Sequence, residues 1–382
     1  MSFRTRSMAV AIIIIAILSP TFLEAQGFQS KGLQFTINNV RFNYAIASGI
    51  PIPTGADADI RILTKNQRLF FNVRVAGGYE DRRILRNTET GVPIEIPTDF
   101  DGVQWFNWPN LELDGGVTLR NRLAGRSTGP YLDFFVLGRT RYEKNSQALA
   151  TEIFSDANGL LAFSFLGGMG GSTVQETVEK SKSGVEGEFA FEYAPEGLDF
   201  VGGTSFTRIT AKVTGYVPLY ASAPGRSDGF AMYAAGFFAG DYAAGRHVPL
   251  YVLTSFGGRL PYKGLGGGVR GYPKWGYEAN TKALASAELR LAGPALFGKE
   301  MLHPMMYVFG DAGYYSGLAK SLSVDKQGFL FSAGGGLALD VMDYVYLGID
   351  AGYTFPFADS LYTSYMPSGQ RFFWDVTFTL HY

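Results

Sequence analysis

The stretch 372–382 constrains the fold more than any other part of the chain. Phe372, Trp374, Val376, Phe378, Leu380 and Tyr382 fall on one face of an extended strand, and Phe373, Asp375, Thr377, Thr379 and His381 on the other. Successive side chains of a strand point to opposite sides, so this is a strand with one apolar and one largely polar face. The chain stops there, on an aromatic residue. A long apolar edge left unpaired invites edge-to-edge association, and closing the sheet into a barrel removes the edge. A membrane barrel needs the same alternation in every strand, one face in lipid and one in the lumen.

Comparable alternation runs back through the chain. The clearer strand candidates are 344–355, 329–340, 305–315, 284–291, 250–256, 230–242, 204–220, 184–193, 160–174, 131–142, 111–123, 69–78 and 33–47. The interval 57–110 reads as two or three strands with loops rich in Pro, Asp and Asn. Turn chemistry divides the segments at Asn158-Gly159, Pro195-Glu196-Gly197, Pro224-Gly225 and Ser227-Asp228-Gly229. The total predicts roughly fourteen to sixteen strands, inside the even-numbered range of bacterial barrels. No amphipathic helix of useful length and no fixed 20–50 residue repeat stands out.

The first 25 residues read as a secretory signal. Arg4 and Arg6 lead into an apolar stretch from Ala9 to Leu18, broken by Ser19-Pro20, with Leu23-Glu24-Ala25 as the cleavage site. Ten apolar residues are too few for a membrane helix, which needs about 20. Residues 26–382 then form one barrel domain. Gly (49), Phe (31) and Tyr (22) are abundant, while 33 basic and 34 acidic residues nearly balance. That balance suits neither a nucleic-acid partner nor a disordered chain. The chain has no Cys, which excludes disulfides and a lipid-modified Cys anchor.

Two short motifs narrow the reading. Val269-Arg270-Gly271-Tyr272 sits in a Gly-rich run from 257 to 276, and Phe309-Gly310-Asp311-Ala312-Gly313 sits in a strand candidate. Five strand candidates follow the first motif, and the first of them contains Ala287-Glu288-Leu289-Arg290. Together these resemble the C-terminal half of the BamA-type surface-antigen superfamily of outer-membrane β-barrels. The resemblance is good over 200–382. It implies a transmembrane antiparallel β-barrel of sixteen strands, whose long sixth extracellular loop folds back into the lumen with a V/I-R-G-F/Y motif at its tip. Superfamily members that insert or secrete proteins carry periplasmic POTRA domains. Residues 27–110 show no 3.6-residue apolar period for the helices of such a domain, so the chain is similar to the short forms that lack them.

Burying an unpaired guanidinium is costly, so a lumen-directed Arg270 needs a carboxylate. Alternation places Phe309, Asp311 and Gly313 on one strand face, and Glu288 with Arg290 on one face of the preceding strand. Asp311 is the natural bidentate partner and Glu288 the second. Gly271 and Gly313 allow close backbone approach, and Tyr272 is expected to stack or pack beside the pair. Enzyme chemistry is not expected. His247, His303 and His381 have no metal-ligand spacing, no G-x-S-x-G elbow occurs, and Gly266-Gly267-Gly268 opens no helix. Asp340, Asp343 and Asp350 read as a solvated cluster near one turn. No cofactor or metal is implied. The expected partners are the bacterial outer-membrane bilayer, other envelope or assembly proteins, and a second copy of the chain. The leading expectation is a minimal or accessory protein assembly and translocation factor. The alternatives are a plugged scaffold barrel and, less favoured, a diffusion pore.

Overall fold

The computed structural model describes residues 29–380 apart from 31–32, 48–49, 65–67, 83–84, 87–92, 95–105, 124–128, 145–158, 202, 273–276, 278, 298–301, 319–326, 342–344 and 356–370. The expected signal, 1–25, and Tyr382 lie outside the described residues. The described chain is all-β and dominated by one sheet of seventeen strands. Fourteen of these run nine residues or more: β1 (Leu33–Ala47), β2 (Ile50–Thr64), β3 (Leu69–Arg82), β4 (Phe106–Arg122), β5 (Tyr131–Glu143), β6 (Leu160–Ser172), β7 (Lys182–Ala194), β8 (Ser205–Ala221), β9 (Ala231–Arg246), β10 (Ala279–Ala292), β11 (Leu302–Leu318), β12 (Gly328–Val341), β13 (Val345–Thr354) and β14 (Phe372–Leu380). Each long strand pairs antiparallel with the next, from β1 through to β14.

Fourteen long strands are the lower end of the expected range; five follow the Val269–Tyr272 segment, as the sequence predicts. The unclear interval resolves into β2, β3, a two-residue hairpin at 85–86 and 93–94, and the start of β4. Pro51, Pro53 and Gly55 obscure β2 in the sequence, because none of them favours a strand interior. One expected strand is not a strand: Leu250–Thr254 forms a single helical turn, α1, and only Ser255–Phe256 is extended, paired with Tyr262–Lys263. The Gly run also contains a tight turn, α2 (Leu265–Gly268), in which Gly266 and Gly267 leave helical geometry.

The connections sort by end. Those at 65–68, 123–130, 173–181, 222–230, 293–301 and 342–344 are short and share the end where β1 begins and β14 finishes. The opposite end carries the long connections, among them 83–105, 144–159, 247–278 and 355–371.

Alternation decides the two faces. On β3, Leu69, Phe71, Val73 and Val75 are exposed, whereas Phe70, Asn72 and Arg74 are buried. The pattern repeats around the sheet: Phe134 and Val136, Ile209 and Val213, Met306 and Val308, Leu347 and Ile349 all point outward. A contiguous apolar outer surface of this extent marks a lipid-facing wall. The inner face carries charge. Arg139, Arg141, Glu192, Arg208, Asp241, Lys282 and Asp311 are all at most 4% exposed.

The sheet is curled around the 247–278 loop. Inner residues of β5, β7, β8, β9, β10, β11 and β14 all touch this one loop, which a flat sheet cannot arrange. Cα atoms of β1 and β14 approach within 8 Å, yet no hydrogen-bonded ladder joins those two strands among the described residues.

The two faces predict opposite responses to charge. Val308→Arg, on the outer wall, should cost about 2–4 kcal/mol in a bilayer. Thr214→Arg, on the half-buried inner side of β8, should cost far less. Reversible unfolding in lipid vesicles measures both, and equal costs would contradict the assignment of faces.

Candidate functional site

The site is the docking of the inward loop on the inner wall. At its tip, Arg270 forms the expected bidentate pair with Asp311 of β11. Nε donates to Oδ2 and Nη2 to Oδ1, both at 2.8 Å. The Arg270 backbone N–H adds a third bond to Oδ2 at 3.1 Å. Nη1 lies 2.8 Å from Oε1 of Glu288 on β10, and Nη2 donates to Ser286 Oγ at 3.1 Å. Ser286 donates to Asp311 Oδ1 at 2.6 Å, and Ser332 of β12 to Oδ2 at 3.3 Å. The Asp311 side chain is fully buried, so its charge is balanced only by these donors. The guanidinium also lies over Phe309, with Cζ 3.5 Å from the ring centroid, a cation–π contact. Burial by itself pulls the Arg270 guanidinium down. The hydrogen bonds and charge of Asp311, with Glu288 and Asp350, outweigh it and hold the group above its ordinary range.

Both glycines sit at close approaches between loop and wall. Gly271 has φ +86°, and a Cβ there would overlap the Phe373 ring of β14. A Cβ on Gly313 would lie 2.8 Å from Val269 Cγ2 and 3.1 Å from Leu265 Cδ2. Tyr272 is buried. It meets Tyr277 edge-on, with ring centroids 6.1 Å apart, and donates to the Phe331 carbonyl at 3.2 Å. Val269, Leu265 and Tyr272 pack with Phe256, Tyr277, Leu284, Tyr315 and Leu330 into one apolar cluster inside the lumen.

The base of the loop is held by a second set of contacts on other strands. Glu143 at the end of β5 accepts the Leu250 N–H of α1 at 3.1 Å. Asp241 of β9 accepts the Gly257 N–H at 2.9 Å and pairs with Arg208 and Lys282 at 2.9 and 3.0 Å. Arg208 donates on to the Ser255 carbonyl, and Lys282 to Val252. Arg139 of β5, paired with Asp114 of β4, donates to the carbonyls of Gly258 and Arg259 at 3.1 and 3.2 Å. Arg259 pairs with Glu188 of β7 at 2.8 Å and Asp133 of β5 at 3.2 Å. Lys212 of β8 closes on the Leu260 carbonyl at 2.8 Å.

None of these base partners, nor Phe373, is singled out by the motifs. The available signal is parity: Asp133, Arg139 and Glu143 share the inward phase of β5, as Glu188 and Glu192 do on β7. Of the terminal-strand residues, Phe372, Trp374 and Val376 are exposed on the outer wall, and the side chains of Phe378 and Leu380 lie outside the described residues. Of the three acidic residues expected near one turn, the two described ones, Asp340 and Asp350, lie four register positions apart. Asp340 ends β12, Asp350 accepts the Tyr307 hydroxyl inside the lumen, and Asp343 lies outside the described residues. Below the loop tip is an open cavity of ≈ 600 Å³, walled by Thr214, Tyr216, Glu288, Arg290, Tyr307 and Asp375 among others.

No family model and no curated protein matches the chain. Among solved structures it is similar to a crystal structure of BamA from Haemophilus ducreyi lacking POTRA domains 1–3. The identity is 13%, the TM-score 0.49, and the match covers 91% of this chain and 64% of that one. It is also similar to the copper transporter OprC, at 12% identity and TM-score 0.32, over 87% of this chain and 47% of that one. The chain thus spans less than two thirds of the length of either.

Arg270→Ala leaves the buried Asp311 carboxylate short of its main partner and should cost about 3–5 kcal/mol. The double variant with Asp311→Ala should be non-additive by about 0.5–3 kcal/mol. Arg270→Lys should not restore stability, since an ammonium cannot span both carboxylate oxygens and Glu288 together. Equilibrium unfolding of the purified barrel measures each, and additive losses would contradict direct pairing.

Proposed function

We propose that this chain is an outer-membrane β-barrel of the protein insertion and translocation class, acting as a minimal or accessory factor. The observation that carries the reading is the tip lock. The V-R-G-Y segment of an inward loop is pinned by Arg270 to the aspartate of an F-x-D-x-G strand, with five strands after it, the arrangement that the resemblance to the BamA-type superfamily implies. An apolar outer wall supports a bilayer location, and the long connections then face outward and the short ones the periplasm. The strands β1 and β14, close but unladdered, support a working seam at which another strand could pair.

A plugged scaffold barrel that holds other envelope proteins, or further copies of itself, is the second reading. The density of contacts fixing the loop favours it. A diffusion pore is disfavoured by that same loop, because a loop packed into the lumen narrows conductance.

The first test is native co-purification from detergent-solubilised outer membrane. A stoichiometric partner with periplasmic domains, or trapped barrel clients, supports assembly. Recovery as monomer or homo-oligomer supports the scaffold. The second test uses purified protein in lipid vesicles. Folding of an added barrel client should accelerate about tenfold, equivalent to about 1.4 kcal/mol off the barrier. A disulfide engineered between β1 and β14 should abolish the gain, and a reductant restore it. Undiminished acceleration with the seam locked would sink lateral opening.

A further inference from the structure

We propose that the short connection between β6 and β7 is a second plug, which closes the lumen from the end opposite to the long loop and is poised to open. This connection, 173–181, is not a simple rim turn. Gln175 and Glu176 pair with Ser183 and Lys182, extending the hairpin beyond the sheet. Its tip is stiff: the Thr177 N–H donates to the Ser181 carbonyl at 2.9 Å, and the Ser181 N–H to Thr177 Oγ1 at 3.1 Å. The tip leans inward. Glu179 is 4% exposed and accepts the Gly225 N–H from the β8–β9 connection at 3.1 Å. The Lys180 ammonium, 3.3 Å from Glu176, lies 3.9 Å from the Asp340 carboxylate on β12. β12 is five strands from β7, so the hairpin crosses the mouth instead of continuing its own wall.

Burial at that rim agrees. The lowest inward residues of β9, β10 and β11 are Ala231, Ala292 and His303, at 0%, 3% and 4% exposure. An open mouth would leave such residues wet. At the base of the hairpin the Lys182 ammonium lies 5.9 Å from the Tyr216 ring centroid, and Tyr216 lines the cavity. The cavity therefore sits between the loop tip above and the hairpin below.

The closed state carries identifiable costs. Both ring nitrogens of His303 and the hydroxyl of Ser181 are buried without a hydrogen-bond partner among the described residues. Buried polar groups left unpaired oppose the state that buries them, and water admitted by opening would satisfy them. Among the described residues, the hairpin is tied to the far rim by the ion pair to Asp340 and to the next connection by the bond from Gly225. Such a hairpin can swing out without disturbing the sheet, whereas the long loop cannot leave without breaking buried charge pairs on several strands.

The chain lacks cysteine, so Thr214→Cys on the cavity wall gives a single reporter thiol. Its reaction with a charged maleimide is followed on the purified full-length barrel in detergent. In the Thr214→Cys parent it should be slow. Replacing 177–181 by Asn-Gly, which closes a two-residue hairpin between Glu176 and Lys182, should speed it about tenfold. Asp340→Asn or Lys180→Ala should each speed it by up to about fivefold, the scale of a partly exposed ion pair. An unchanged rate in the shortened variant, with parental thermal unfolding, overturns the plug. If the shortened variant does not fold, unchanged rates in both point variants overturn it. The assay contains no client and reads only access, so its failure is separate from failure of the assembly reading.

Discussion

A guanidinium taken out of water has to be given carboxylates and carbonyls in fixed positions, and much of this molecule is arranged around that requirement. The inner wall carries Arg74, Arg139, Arg141 and Arg208 nearly or fully buried, interleaved with Glu112, Asp114, Glu192 and Asp241. Carboxylates alone do not use up the donors. Arg139, Arg208, Lys212 and Lys282 turn their remaining N–H groups to loop carbonyls. A loop drawn into a lumen carries backbone groups that also need partners. The wall supplies partners to the loop and the loop to the wall, so each stabilises the other.

Two halves of the sheet hold the loop differently. β4 to β9, with Lys282 of β10, grip its base through a lattice of charges. β10 to β14 receive its tip through one concentrated lock at Asp311, an aromatic face at Phe309 and the ring of Phe373 beneath Gly271. The cavity reaches from β8 and β9 across to β14, and on its far wall Asp350 and Asp375 sit directly opposite each other on β13 and β14.

Local order explains which parts of this were legible in the sequence. Strict alternation in β14, and the five strands after the Gly-rich run, follow from a period of two that needs no knowledge of the partner strand. The Arg270–Asp311 pair is legible because one residue lies at a loop tip and the other has a fixed inward parity. β2 is hidden because Pro51, Pro53 and Gly55 break the expected composition. The 250–256 segment misleads for the opposite reason. Leu250, Val252 and Leu253 look like strand residues because they are apolar, yet they are buried by packing inside the lumen, and Pro249 with Glu143 starts a helical turn there. Phe373 was placed on the polar face of the last strand, but its partners, Phe309 and Gly271, are about 60 and 100 residues away and become neighbours only when the sheet curls. The anchors Glu188, Asp133 and Asp241 have no local signature beyond parity, since an inward carboxylate looks the same whether it meets solvent or a loop.

The number of separate attachments along the loop has a kinetic meaning. Its base and tip are tethered to β5, β7, β8, β9, β10 and β11 by bonds that are largely shielded from mobile ions, so ionic strength has little leverage on them. When one bond breaks, the others keep the freed group at high effective concentration next to its partner, and it rebinds before the next can part. Attachment of this kind behaves as avidity: the loop's residence in the lumen far exceeds the lifetime of any single contact. Shedding it would require a competitor that displaces several contacts in succession, so its release should be slow and concerted rather than graded.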